Sequence, residues 1–246
     1  MCNKKEERGF LVRKGRRYTI NSKVTSSILI NQLHIDLLVH YKRYIRGKLL
    51  DAGCGEKPYS LLYERLVEEG TGCDVKTCVH DQQAIDVFAS VDCLPFQDEA
   101  FDTILCTNVL EHVAEAGDGF RELSRCLKHE GFLILSVPFL YPLHEAPHDY
   151  YRYTFYGLRH QMEINGLEIK KAVPLGGPGF LAAVYAHLFV TKMIRFRVIQ
   201  KCNYIVQKGF YHVYKKTVFK KLCRGGVEDK LHLVLSAGYF MIAKKK

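Results

Sequence analysis

From Lys48 to Val173 short apolar runs alternate with helical stretches, and this alternation constrains the fold more than any other feature of the chain. The runs Lys48–Leu50, Ile85–Ala89, Phe101–Thr107, Phe132–Val137 and Leu167–Val173 are too short for helices and lack the in-and-out polar alternation of a half-exposed strand. They read as strands buried on both faces. Between them, Tyr59–Glu68, Val109–Val113, Gly119–Lys128 and a segment capped by Thr154 and stopped by Gly166 read as helices. Strand–helix alternation of this kind predicts an α/β doubly wound, mostly parallel sheet covered on both faces. In such a sheet the ligand crevice lies beyond the carboxyl ends of the strands.

The flanks differ from this core. The first twenty residues are polar and basic and read as a loose arm. Ser27–Tyr44 carries Ile30, Leu33, Leu37, Tyr41 and Tyr44 at helical spacing, which predicts an amphipathic helix. The net charge of +10 is localised: between Lys170 and Val227 there are 12 Lys or Arg and no acid, leaving 24 basic against 26 acidic residues elsewhere. The expected organisation is an arm and helix over 1–47, a core over 48–175 and 229–246, and a basic helical insertion over 176–228. That insertion reads first as a lid, second as an amphipathic element on an anionic membrane, and third as an RNA contact. The longest apolar run, Phe180–Val190, is interrupted by His187 and falls short of the ~20 residues of a membrane span. Nine cysteines without a CxxC pair or a signal peptide point to reduced thiols and a cytoplasmic location.

The first strand ends in LLDAGCGEKPY, where glycines permit a sharp turn and close approach to a ligand. The spacing is neither the GxGxxG dinucleotide fingerprint nor a P-loop. Asp74 follows about twenty residues later, where an acid accepts hydrogen bonds from ribose hydroxyls. Farther on comes VDCLPFQDEAFDTILCTNVLEHV. DAGCG, then LPF followed by FD, then NVLEHV, in this order, resemble the class I S-adenosylmethionine-dependent methyltransferases. Within them the chain is similar to the ubiquinone/menaquinone-type, or type 11, group. The resemblance covers about Lys48 to Val173 together with the last strand, Leu231–Ala243. It implies a Rossmann-like sheet with an antiparallel C-terminal strand and S-adenosyl-L-methionine as cofactor. It also implies roles: Asp51, Gly53 and Gly55 around the methionine portion, Asp74 at the ribose and Val75 beside the adenine. Ser90 and Val91 stand near the adenine amino group, where many relatives carry an acid. Asn108 and Leu110 line the sulfonium end.

HEAPHDYYRYT, His144–Thr154, contains a match to the HExxH zinc signature. That signature needs both histidines on one helical face, and Pro147 between them breaks the helix, so no metal is expected. The loop follows the strand Phe132–Val137 and should overhang the methyl group. Similar loops occur in uncharacterised methyltransferases associated with glycans or their precursors. His148 and His144 are therefore the candidate general bases, His148 first, with Asp149 to fix the loop or an imidazole. Tyr151 and Arg152 are candidate acceptor contacts, and an Asp149–Arg152 pair holding the loop is the alternative. Glu111 and His112 read as hydrogen-bonders at a helix start, and Asp102 as a turn residue. The expected function is methyl transfer to oxygen of a small-molecule, glycan or lipid-linked acceptor. The alternatives are a non-catalytic binding protein of the same fold or an RNA methyltransferase; nucleic acid is not an expected partner, since no RNA-binding module is visible.

Overall fold

The computed structural model describes residues 5–8, 11–14, 17–20, 27–77, 82–194, 196–224 and 234–246. The N-terminal segment is not a loose arm. Strands β1 (Lys5–Arg8), β2 (Leu11–Lys14) and β3 (Arg17–Ile20) pair as an antiparallel meander. Backbone pairing makes little demand on composition, so a polar, basic stretch can still form strands. Tyr18 ties the meander to the core through its hydroxyl, which donates to the Leu61 carbonyl at 3.4 Å.

Helix α1 (Ile28–His40) departs from the amphipathic expectation, because residues on every side of it, including Asn31, His34 and Asp36, are buried. A helix buried all round needs two partners. One is the sheet and the other is the basic segment, where α5 (Pro178–Met193), α6 (Arg197–Tyr214), a π-turn at Lys215–Phe219 and α7 (Lys220–Arg224) lie. Phe180, Val184, Tyr211, Tyr214 and Leu222 from these helices share one core with Leu29, Leu33 and Leu37. Asp36 is the electrostatic joint: it accepts from Tyr211 Oη at 2.8 Å and from Lys215 Nζ at 2.7 Å.

The main sheet has the order β6-β5-β4-β7-β8-β10-β9. Its strands are β4 (Lys48–Ala52), β5 (Glu69–Asp74), β6 (Val87–Phe88), β7 (Phe101–Thr107), β8 (Leu127–Pro138), β9 (Leu167–Pro174) and β10 (Gly238–Lys245). From β6 to β8 all pairs are parallel, and β10 runs antiparallel to both β8 and β9. Period-two alternation divides the strand residues between two cores. Leu49, Leu105 and Ile134 face α1, while Leu50, Ile104, Leu133 and Leu135 face α3 (Ala116–Cys126) and α4 (Phe155–Ile164). Thr154 caps α4 as expected, its hydroxyl accepting from the Gly157 amide at 3.0 Å.

Several boundaries differ from the sequence expectation; β8, for one, begins at Leu127, inside the helix expected over Gly119–Lys128. Strand β5, EGTGCD, carries two glycines and no apolar pattern. Gly70 and Gly72 leave room for the Tyr63 ring and the Lys57 side chain, which lie across the strand. The helix expected over Tyr59–Glu68 is only α2 (Ser60–Tyr63). The last strand starts at Gly238, whose Cβ, were there one, would lie 2.3 Å from the Val137 carbonyl oxygen. Residues 231–233 of the expected strand lie outside the described residues. No helix among the described residues is long and apolar enough to cross a membrane.

Candidate active site

The chain turns from β4 to β5 and β6 on one side, then crosses to β7 and β8 on the other. A switch of direction between neighbouring parallel strands opens a crevice at their carboxyl ends. Pairing of Ala52 with Cys106 sets the turn after β4 against the loop after β7 at this point. Gly53, at φ +70°, is required there: a Cβ would sit 2.2 Å from Val109 Cγ2.

On the β4–β5 side the groups are tied into one frame. The amides of Gly53 and Cys54 donate to the Cys73 carbonyl at 2.9 and 3.0 Å. The Asp74 carboxylate accepts from the amides of Gly55 and Val75, both at 2.7 Å. It thereby fixes the glycine turn to the end of β5, and each oxygen keeps acceptor capacity for a further donor. Asp51 is buried, and burial pushes its carboxyl up to about 7 despite the hydrogen bond from Tyr63 at 3.0 Å. Lys57, in ion-pair contact with Asp86, also lowers it. Burial, reinforced by the neighbouring Asp51 and Asp74 carboxylates, pushes the Cys54 thiol up and leaves it unreactive. Asn108 takes φ +54° and donates its amide to the Ser136 carbonyl at 2.9 Å, which aims the loop after β7 across the crevice. Ser90 sits at a bridge to Cys93. Val91 is buried with its side chain in the α3 core, so its backbone is the part that remains for a ligand.

Loop 139–154 is stapled to the segment after β7. The amides of Tyr150 and Tyr151 donate to the Glu111 carbonyl at 2.8 and 3.3 Å. The Tyr151 hydroxyl donates to the Ala114 carbonyl at 2.6 Å and that of Tyr153 to the Leu110 carbonyl at 3.2 Å. Arg152 and Asp149 form a two-pronged pair, Nη1–Oδ1 at 2.6 Å and Nη2–Oδ2 at 2.7 Å. The remaining guanidinium donors reach the carbonyls of Tyr141, Pro142 and Tyr151. All five N–H groups are thus engaged within the loop, and Arg152 in this arrangement is a strut with no donor left over for an anionic substrate.

The two histidines of the HExxH match separate. His148 is exposed, and its ring meets the Tyr150 hydroxyl at 3.0 Å. His144 points inward, with Nδ1 3.2 Å from Asp149 Oδ2 and Nε2 3.9 Å from Glu111 Oε1. His112 joins it, Nδ1 held at 2.6 Å by the His148 carbonyl and Nε2 3.9 Å from the same Glu111 oxygen. Burial lowers the pKa of His144, opposed by Asp149. Burial opposes ionisation of Asp149, yet the Arg152 and His144 donors hold its carboxyl at about 2.

Glu111 was expected to hydrogen-bond at a helix start and does not. It is fully buried, neither carboxylate oxygen has a hydrogen-bond partner, and burial pushes its carboxyl up to about 8. His112 likewise caps no helix. Sequence reasoning saw both residues inside NVLEHV but could not bring them to His144, because the contact depends on two loops more than thirty residues apart. Asp102 is structural as read, accepting from the Lys48 amide and from Lys128 Nζ, both at 2.9 Å.

Comparison with known proteins bears on this arrangement. Residues 50–135, about a third of the chain, match the family model described as a methyltransferase domain. An uncharacterized protein of Methanocaldococcus jannaschii is 45% identical over 51 residues, 21% of this chain and 22% of that protein. The match thus spans about a fifth of that relative's length. Among solved structures, the [4+2]-cyclase SpnF is similar at TM-score 0.55 and 19% identity, covering 97% of this chain and 86% of the other. A SAM-dependent methyltransferase from Archaeoglobus fulgidus gives 0.53 and 17%, covering 87% and 94%. Geranyl diphosphate methyltransferase in complex with SAM gives 0.55 and 14%, covering 92% and 93%. Residues 50–135 thus match a methyltransferase domain of the type 11 group, and the fold is the one shared with the S-adenosylmethionine-dependent methyltransferases among these structures.

Proposed function

We propose that this chain transfers the methyl group of S-adenosylmethionine to a hydroxyl oxygen of a small-molecule acceptor, a glycan or lipid-linked precursor among the candidates. The observation that supports the reading is the pair of residue groups gathered in the loops after β4, β5, β7 and β8. Asp51, Gly53, Gly55, Asp74 and Asn108 form the group where the cofactor is expected. Glu111, His112 and His144 gather proton-accepting atoms within 4.8 Å of one another on the β7–β8 side. A hydroxyl is a poor nucleophile until its proton is removed, whereas a thiolate needs no such cluster. In this reading the His144 imidazole, oriented by Asp149, faces the acceptor, and His148 contributes through its carbonyl, which orients His112. Tyr151 borders the acceptor, and Val75, Ser90 and the Val91 backbone border the adenine.

The cofactor half is tested by calorimetry with S-adenosylhomocysteine. Asp74→Ala removes the ribose acceptor and should weaken binding by about 1.5–3 kcal/mol, the size of hydrogen bonds to a charged group. Unchanged affinity in a folded variant would sink the assignment. The acceptor half is tested by a labelled-methyl screen against sugar nucleotides, glycolipids and quinone precursors. SpnF is described as a cyclase, so the fold alone does not dictate methyl transfer. S-adenosylhomocysteine binding with no methyl product across the screen would favour the non-catalytic reading.

A second element of the proposal is location. Helices α5 and α6 and the turn between them expose Phe189, Met193, Phe196, Val198, Ile205 and Val206, interleaved in sequence with Lys192, Lys201 and Lys208. An apolar face rimmed with lysines suits peripheral contact with an anionic membrane, which would bring a lipid-linked acceptor to the crevice.

A further inference from the structure

We propose that Glu111, His112 and His144 form a binding site for one divalent first-row transition cation, whose open positions receive the acceptor oxygen. The sequence offers no such ligand set in one motif, and the expectation drawn from HExxH was that no metal binds. The three residues come instead from the turn after β7 and the loop after β8. One donor atom from each lies within 4.8 Å of the other two, with Glu111 Oε1 3.9 Å from both imidazole Nε2 atoms. Metal–nitrogen and metal–oxygen bonds of about 2.0–2.2 Å place neighbouring ligands roughly 3–3.5 Å apart, so the side chains need close by only about an ångström.

Two independent features fit a cation. The Glu111 carboxylate is fully buried without a hydrogen bond, a situation stable only when a proton or a cation neutralises it. The His112 Nδ1–H donates to the His148 carbonyl, which fixes the tautomer and leaves the Nε2 lone pair facing Glu111. A carbonyl behind a ligating imidazole, as at His112, is the usual support of a metal-bound histidine. The His144 Nδ1 lies 3.2 Å from Asp149 Oδ2 and 3.5 Å from Arg152 Nη2, so either tautomer finds a partner there, and Nε2 stands 3.9 Å from Glu111 Oε1. Two imidazoles and one carboxylate suit manganese, iron, cobalt or zinc better than magnesium or calcium. Three protein ligands also leave coordination positions open.

The inference rests on the methyltransferase reading only for its chemical purpose. A hydroxyl bound at the cation acidifies, its O–H bond breaks and the proton leaves to water. The oxygen lone pair then forms the C–O bond while the C–S bond breaks, its electron pair staying on sulfur as S-adenosylhomocysteine.

The test uses the full chain stripped with chelator, then titrated with MnCl2 by electron paramagnetic resonance and with ZnCl2 by calorimetry. The expected result is one site per chain, with affinity falling at least tenfold in Glu111→Gln and in His112→Ala. His148→Ala should leave it unchanged, which separates this triad from the HExxH pair. X-ray absorption of the zinc-loaded wild type should show two imidazoles and oxygen, and it reads the site even where a variant fails to fold. Absence of a stoichiometric site, sulfur ligation by cysteine, or full affinity in Glu111→Gln would overturn the proposal. S-adenosylhomocysteine binding is measured on the same samples. If it persists while the metal result is negative, the cation inference alone fails; if it is absent, the cofactor reading fails.

Discussion

Asp149→Asn offers a sharp test of how the acceptor loop is held. The side chain is 1% exposed, and its carboxylate accepts from Arg152 through both oxygens and from the His144 amide at 2.9 Å. Holding the carboxyl at about 2, against 3.8 for a free side chain, contributes about 2 kcal/mol at neutral pH, since a tenfold change in ionisation is worth about 1.4 kcal/mol. Asparagine keeps the shape but loses the charge, and its NH2 faces donors of Arg152 or His144. The variant should therefore be about 2–3 kcal/mol less stable at pH 7, roughly a 5–10 °C fall in Tm for a chain of this size. The sign of the pH dependence follows from the depressed value. The contribution is complete above pH 4 and is lost as the carboxyl takes up its proton towards pH 2. Urea titrations of both proteins from pH 7 down to pH 3 should show a gap that is constant at first and narrows at the acid end. Equal midpoints at pH 7, or a gap that ignores acidification, would refute the strut. S-adenosylhomocysteine affinity should stay within about twofold, because the loop lies on the acceptor side.

Gly53→Ala combines a left-handed backbone with a Cβ 2.2 Å from Val109, and should cost about 1–3 kcal/mol of stability and disable cofactor binding. A folded variant with wild-type affinity in calorimetry would contradict the close packing of the two loops. Asp51, with its carboxyl pushed up to about 7, should lose a proton when it meets the cofactor's ammonium group, so binding should tighten as pH rises from 6 to 8. Calorimetry at pH 7 in buffers of different ionisation enthalpy measures that proton directly; no release would separate Asp51 from the ammonium. Vesicles containing anionic lipid should bind the protein and release it at about 0.5 M salt, because surface attraction is screened. Equal binding to neutral vesicles, or to neither kind, would leave α5 and α6 as a cover for α1 alone.

The local pattern of the chain carried the core of the fold. Short apolar runs such as Phe101–Thr107 and Phe132–Val137 can only be strands buried on both faces, and a glycine turn after the first strand marks the crevice. Thr154 was legible because it acts on a backbone amide at its own helix start. Strand β5 escaped detection because Gly70 and Gly72 carry no pattern, their role being to admit Tyr63 and Lys57 from another element. The all-round burial of α1 was equally invisible, since it depends on Asp36 meeting Tyr211 and Lys215 some 175 residues away. The acceptor cluster shows the limit most clearly. Sequence proximity pairs His144 with His148, but Pro147 denies them a helix, and the folded loop sends His148 outward. It brings His144 to Glu111 and His112 because backbone amides of Tyr150 and Tyr151 bind the Glu111 carbonyl, a contact encoded in no local motif. Periodicity reports which face of an element is buried; only tertiary packing decides which loops meet beyond the strand ends, and so which residues form the candidate site.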